Sequence, residues 1–202
     1  MKVIIIFLGF HETSGKRQGS TLFREIKMNL EFAKIVALLG PVIVVPAYAE
    51  IYMSSEQAVQ LIFPKAKLER ADLDLTNAEI QVIESKSGNK VREKKMVVWK
   101  NSAQDCVFID QVLGKHEFIT YAVGVTPKGA VKGVEILEYR ESYGHEVRNK
   151  EWKDQFLGKT SNSTLKLDED IKNLSGATLS SSHITAGIKR ILNTYDTIKH
   201  RL

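Results

Sequence analysis

Two runs of alternating residues joined by a short turn constrain this chain most. From Phe118 to Val125, Ile119, Tyr121, Val123 and Val125 fall to one side, and Phe118, Thr120 and Ala122 to the other. Period-two alternation marks a strand with one face inward. Thr126-Pro127-Lys128-Gly129 is a turn signal. Val131 to Tyr139 then returns, with Val134 and Ile136 flanking Glu135. The pair predicts an antiparallel hairpin of good length, so the middle of the chain belongs to an antiparallel sheet.

The rest of the sequence fits around that hairpin. Met96-Val97-Val98-Trp99 and Cys106 to Val112 read as further strands. Before them, Ser54-x-x-Gln57 and Thr76-x-x-Glu79 are capping-box patterns. The first opens a helix with Ala58, Leu61 and Ile62 at helical spacing, stopped by Pro64. The second opens a helix with Ile80 and Ile83 inward, ending near Ser87-Gly88-Asn89. Glu141 to His145 is a loop, and Asn149 caps a short helix with Trp152 and Phe156 on one face, closed by Gly158. After a polar stretch over 159–170, Ile184, Ile188, Ile191, Leu192, Tyr195 and Ile198 make one apolar stripe along a final helix. The order predicts an α+β fold: a mainly antiparallel sheet flanked by helices, with the later helices covering one face. Neither a βαβ alternation nor a glycine-rich dinucleotide fingerprint occurs, so a Rossmann fold is a poor fit.

Charge and cysteine content exclude several function classes. The chain has 202 residues, 43% hydrophobic and 26% charged, with a net charge of +5. Residues 1–49 hold six Lys/Arg and three Asp/Glu, leaving 23 basic and 21 acidic residues behind them. A nearly balanced body lacks the clustered basic charge of a nucleic-acid surface. Cys106 is the one cysteine, so no intramolecular disulfide or thiolate metal cluster can form, and its apolar setting predicts a buried, inert thiol. His145 and His183 show no HxH or HExxH spacing, so no metal site is predicted.

The front end reads as a targeting segment. Ile35 to Val45 is an apolar run of eleven residues, short of the ~20 that a spanning helix needs. It ends in Pro46-Ala47-Tyr48-Ala49, a small-x-small cleavage pattern, with Lys34 as a weak positive n-region. Residues 1–27 do not fit this scheme, and a start at Met28 reads more naturally. The predicted organisation is a mis-assigned start over 1–27, a signal peptide over 28–49, and one domain over 50–202, exported to the periplasm or the outer face of the cytoplasmic membrane. An uncleaved anchor is the alternative.

Chemistry concentrates in Ser175-Gly176-Ala177-Thr178, followed by Leu179-Ser180-Ser181-Ser182 and the final helix. Gly176 and Ala177 leave room for close approach, and a helix start presents unpaired amides and the positive end of its dipole, where phosphate binds readily. Ser180, Ser181 and Ser182 are placed where N-cap hydroxyls belong, and Thr178 just before the helix on an accessible turn. A threonine hydroxyl needs a base or a metal to become a nucleophile, and none is evident nearby. Serine-rich turns also cap helices without any ligand, so these letters alone leave a purely structural role open.

Four ordered elements sharpen the assignment. Gly129-Ala130-Val131-Lys132-Gly133-Val134, Glu141-Ser142-Tyr143-Gly144, the W-x-x-Q-F-x-G set of Trp152, Gln155, Phe156 and Gly158, and the Ser175–Thr178 run preceded by Leu174 together resemble the FMN-binding domain family. That family includes subunits of the sodium-pumping NADH:quinone reductase and of the related ferredoxin:NAD reductase. The likeness covers most of 50–202 and is strongest from Lys115 to Arg201. Two positions depart from the family: Tyr143 replaces a proline, and Lys172 sits six residues before the threonine, where an acid is usual. The nearest acids are Asp168, Glu169 and Asp170.

The resemblance implies FMN as the cofactor, joined to Thr178 through a phosphoester bond by an external flavin transferase. Ser175, Gly176, Ala177, Leu179, Ser180 and Ser181 then line the cofactor, and Glu141 orients its ring or ribityl group. Tyr143, Gly144 and His145 line the flavin edge, Trp152 with Phe156 walls the ring, and His183 neighbours the phosphate. Each has a plainer alternative: Glu141 in an ion pair with Arg140 or Arg148, Trp152 and Phe156 in the core, His183 exposed at a helix start. The implied function is an electron carrier, or a subunit of an oxidoreductase, working with a membrane-bound reductase or a cytochrome. A stand-alone flavin reductase and a non-redox binding module are the rival readings.

Overall fold

The computed structural model describes residues 50–141 and 143–202. The expected mis-assigned start and signal peptide fall outside these residues. The described elements are β1 (Glu50–Ile51), α1 (Ser55–Ile62), β2 (Glu69–Asp74), α2 (Asn77–Ser87), β3 (Lys95–Lys100), β4 (Cys106–Leu113), β5 (Phe118–Val125), β6 (Val131–Tyr139), a 3-10 turn (His145–Arg148), α3 (Lys150–Asp154), α4 (Thr178–Ile198) and a closing 3-10 turn (Lys199–Arg201).

The predicted hairpin is the middle of a six-stranded sheet in the order β1-β6-β5-β4-β3-β2, every neighbouring pair antiparallel. Its strands begin and end where the alternation does, and Val123 pairs with Val134 across it. The fold is α+β, as predicted. β1 and β2 went unpredicted. In β2 the alternation is of charged residues with Ala71 and Leu73, a faint apolar signal, and the strand lies at the sheet edge. There Arg70 and Asp72 form an exposed ion pair at 3.0 Å, a charged edge that discourages pairing with another chain.

Helices cover both faces of the sheet, which fits the expected flanking by helices. Ala58, Val59 and Ile62 of α1 pack with Phe63 on Val107, Ala122 and Leu137, while α2 and α4 cover the opposite face. The inward residue beside Ala58 and Ile62 is Val59; Leu61 is 61% exposed. Both capping boxes close reciprocally: Ser54 N donates to Gln57 Oε1 at 2.8 Å and Gln57 N to Ser54 Oγ at 3.2 Å, and Thr76 and Glu79 do the same for α2. Asn149 occupies the cap position of α3, but its side chain makes no cap hydrogen bond.

The stripe on α4 is buried as predicted: Ile184, Ile188, Ile191, Leu192, Tyr195 and Ile198 are all 2% exposed or less. At about 2 kcal/mol for each buried apolar side chain, this stripe outweighs any cap, worth about 1 kcal/mol, in holding α4 on the sheet. The helix also carries Arg190 into the interior. Its Nη2 donates to Asp110 Oδ2 on β4, and Tyr121 Oη donates to the same oxygen at 2.9 Å. Burial, reinforced by the Asp110 charge, pushes the Tyr121 hydroxyl well above the usual tyrosine range, so it stays a neutral donor. Cys106 is fully buried, and burial pushes its thiol up to about 11, which leaves it inert at neutral pH. No helix among the described residues is long and apolar enough to cross a membrane.

Removing one partner from a buried ion pair strands the other charge. Asp110→Ala is therefore expected to cost about 3 kcal/mol of unfolding free energy in urea titrations, whereas Asp72→Ala on the exposed edge leaves it nearly unchanged. Equal effects of the two substitutions would contradict this account of the core.

Candidate functional site

The hydroxyl-rich run opens α4, but one step differently from the prediction. Ala177 is the cap residue, with no side-chain cap hydrogen bond, and Thr178 is the first helical residue rather than the last of the turn. Ser180 and Ser181 are buried inside the first turn and do not cap it. Ser181 N and Ser181 Oγ both donate to Ala177 O, each at 2.8 Å, so the serine hydroxyl is spent on the helix's own carbonyl. The amides of Thr178, Leu179 and Ser180 are left without intrahelical acceptors, at the positive end of a 21-residue helix. Thr178 is exposed, and its hydroxyl has no hydrogen-bond partner among the described residues.

Ser180 instead joins the helix to the sheet. Its Oγ lies 2.9 Å from Tyr139 Oη at the end of β6, and the same Tyr139 hydroxyl donates to Tyr143 O at 2.6 Å. Gly144 fits into this junction at φ +93°. A Cβ there would lie 2.5 Å from Tyr139 Oη and 3.1 Å from Ser180 Oγ, so neither the conformation nor the space admits a side chain. The loop after β6 and the start of α4 are thus fastened through one phenol.

Glu141 makes neither of the ion pairs considered for it. Arg140 pairs with Glu138 at 2.7 Å, and the Arg148 guanidinium lies 3.4 Å from the Tyr52 ring centroid. Glu141 Oε1 accepts the amides of His116 and of Glu117, the latter at 3.0 Å, in the turn between β4 and β5. Burial would raise its pKa, but backbone hydrogen bonds from Glu117, His116 and Lys115 prevail and hold the carboxyl below the usual range. His183, half-buried in the second turn of α4, pins the same region through Nδ1 to Leu113 O.

The W-x-x-Q-F element also proves to be a fastening. Trp152 is 2% exposed and Phe156 fully buried, their rings edge-to-face at 5.1 Å. Trp152 Nε1 donates to Lys172 O at 3.0 Å, and Lys172 N donates to Gln155 Oε1 at 2.7 Å. Two side chains of this element therefore grip both backbone groups of Lys172, whose own side chain is exposed. Trp152 stands in the core, away from the cleft described next.

A cleft of about 390 Å³ lies at the start of α4. Gly176, Ala177, Thr178, Leu179 and Ser180 form one wall, and Lys115, His116, Glu141 and Tyr143 the other. Tyr143, 83% exposed, and Leu179, 49% exposed, present apolar surface at it. Of the predicted residues, Ser175, Gly144, Ser181, His145, Trp152 and His183 do not line the cleft. Exposed His145 begins the 3-10 turn, and Ser175 is exposed just before the cap. Lys115 and His116 were missed by sequence reasoning. They stand in a four-residue gap between two strands, where a basic pair looks like ordinary solvated turn; Gly114 before them was the available sign of a tight bend.

Two substitutions test this construction. Gly144→Ala is expected to destabilise the protein by about 2 kcal/mol, the cost of overpacking a tight site. Because the folded pKa of Glu141 lies below its unfolded value, its clasp stabilises the protein above the ordinary carboxylate pKa of about 4.3 and is lost as pH falls through the folded value. Glu141→Gln should flatten that acid limb of a stability–pH profile; an unchanged limb would show that the carboxylate is not so engaged.

The chain's likeness to known proteins agrees with the geometry. Residues 114–193 match the family model described as the FMN-binding domain, from the glycine that opens the β4–β5 turn to Asn193 in the last third of α4. No curated protein matches the chain. The residues present suit such a cofactor: unpaired helix-start amides for a phosphate, a free threonine hydroxyl beside them, and a cleft within the ~300–1,000 Å³ usual for ligands, flanked by Tyr143 and Leu179 for a flat ring. The segment 114–193 is an FMN-binding domain, with FMN as its cofactor.

Proposed function

We propose that this flavin-binding chain is an electron-transfer protein working outside the cytoplasm, with FMN joined to Thr178 by a phosphoester bond. The observation that carries the attachment is the setting of Thr178. It is exposed on the cleft wall at the first residue of α4, next to amides with no intrahelical acceptor, and its hydroxyl has no hydrogen-bond partner among the described residues. FMN supplies one- and two-electron chemistry when bound. The chain's residues hold and orient it: the helix start takes the phosphate, and Tyr143 and Leu179 give apolar contact to the ring.

Among the described residues no group hydrogen-bonds to the Thr178 hydroxyl to take its proton, and Glu141, across the cleft, is occupied by the amides of His116 and Glu117. This supports attachment by a separate flavin transferase rather than by the chain itself. Apolar side chains left exposed at the cleft suit contact with a protein partner, and a membrane-bound reductase or a cytochrome fits that role. Export rests on the apolar run Ile35–Val45 and the Pro46–Ala49 cleavage pattern.

Peptide mass spectrometry of protein exported from cells with an active transferase should find the Thr178 peptide heavier by FMN less one water, and Thr178→Val should abolish the adduct. An unmodified Thr178 peptide from such cells would sink covalent attachment. The backbone of Lys172 is gripped while its side chain faces solvent, so Lys172→Asp is expected to leave the melting temperature unchanged and to raise the flavinylated fraction. A lower fraction in that variant would show that the position is not read as an acid.

A further inference from the structure

We infer that the β4–β5 turn, residues 114–117, is a second cofactor-binding element, a cationic clamp that closes on the phosphate end of FMN through Lys115 and His116. This rests on the FMN-binding assignment and goes beyond it, because the attachment run and the loop after β6 contribute no cation to the cleft wall. Lys115 and His116 are the basic residues that line it, opposite Gly176–Ser180.

The backbone of this turn is held to a degree that an ordinary solvated turn does not need. Gly114 N donates to Glu117 O at 2.7 Å and closes it. Glu141 Oε1 accepts the amides of His116 and Glu117, and His183 Nδ1 bonds Leu113 O just before the bend. The fit is close: a Cβ on Gly114 would come within 2.6 Å of Glu141 Oε1, so the carboxylate reaches its amides only because residue 114 is glycine. Glu141 comes from the loop after β6 and His183 from α4, so two separate parts of the domain fix one turn. Fixing the backbone beforehand lowers the entropy lost when its side chains engage a ligand.

Charge decides which part of the cofactor is held. The isoalloxazine ring is neutral in its oxidised form, whereas the phosphate is anionic both as a free monoester and as a diester. The opposite wall already offers helix-start amides to an anion. Glu141 is ionised, and its Oε1 is engaged by the amides of His116 and Glu117, while the Lys115 ammonium lines the cleft beside it. Glu141 and His183 are on this account positioning residues: they act through the turn.

The test compares two flavins that differ only in the phosphate, using Thr178→Val protein so that no ester forms. Fluorescence titrations with FMN and riboflavin are run on this parent and on versions adding Lys115→Met, Lys115→Met with His116→Gln, Glu141→Ala or Glu141→Gln. The parent should prefer FMN over riboflavin. Lys115→Met should weaken FMN about tenfold, the scale of one charge-assisted contact, with riboflavin unchanged, and the double change should weaken it further. Glu141→Ala should also lose the FMN preference, while Glu141→Gln, which keeps an acceptor oxygen, retains most of it; a merely structural role would move both flavins alike. Equal affinity of the parent for the two flavins, or equal losses for both in Lys115→Met, would overturn the clamp and leave the FMN-binding assignment standing. Binding of neither flavin by the parent would overturn both.

Discussion

The Tyr139 hydroxyl is the contact on which the cleft depends. It ends β6, accepts a hydrogen bond from the Ser180 hydroxyl in the first turn of α4, and donates its one proton to the carbonyl of Tyr143. Each such bond contributes only about 1 kcal/mol, far less than the buried stripe of α4. The stripe decides that the helix lies on the sheet; the phenol decides where its first turn stands relative to the loop after β6. Gly144 is the condition for this, since any side chain there would occupy the place of the hydroxyl.

The family elements then divide the work differently from the way their residue types suggest. A tryptophan, a glutamine and a glutamate near a flavin invite the idea that they touch it. Here Trp152 and Gln155 grip the backbone of Lys172, and Glu141 grips the backbone of the β4–β5 turn. One anchors the segment that leads into the attachment run, and the other sets the opposite wall. The departure at Lys172 leaves this packing untouched, because among the described residues it is the backbone of Lys172 that is gripped, while its side chain is exposed.

Much of the architecture was legible because its signals are local. Alternation set the bounds of β5 and β6, reciprocal side chains marked the starts of α1 and α2, and the 3.6-residue stripe gave α4. What stayed hidden depends on partners distant in sequence. β2 is a strand because β3 pairs with it, its own residues being mostly charged. Ser180 looked like a cap and is a bridge to a tyrosine 41 residues away. Lys115 and His116 drew no notice because nothing in their own sequence reveals that Glu141 and His183 hold the turn they stand on.

The most direct measurement is a crystal structure of the flavin-loaded protein. The account predicts FMN in the cleft, its phosphate joined to Thr178 at the start of α4 and facing the 114–117 turn, with the ring against Tyr143 and Leu179. Flavin seated elsewhere, for example in the cavity of about 220 Å³ beside Asp110 and Arg190, would contradict it.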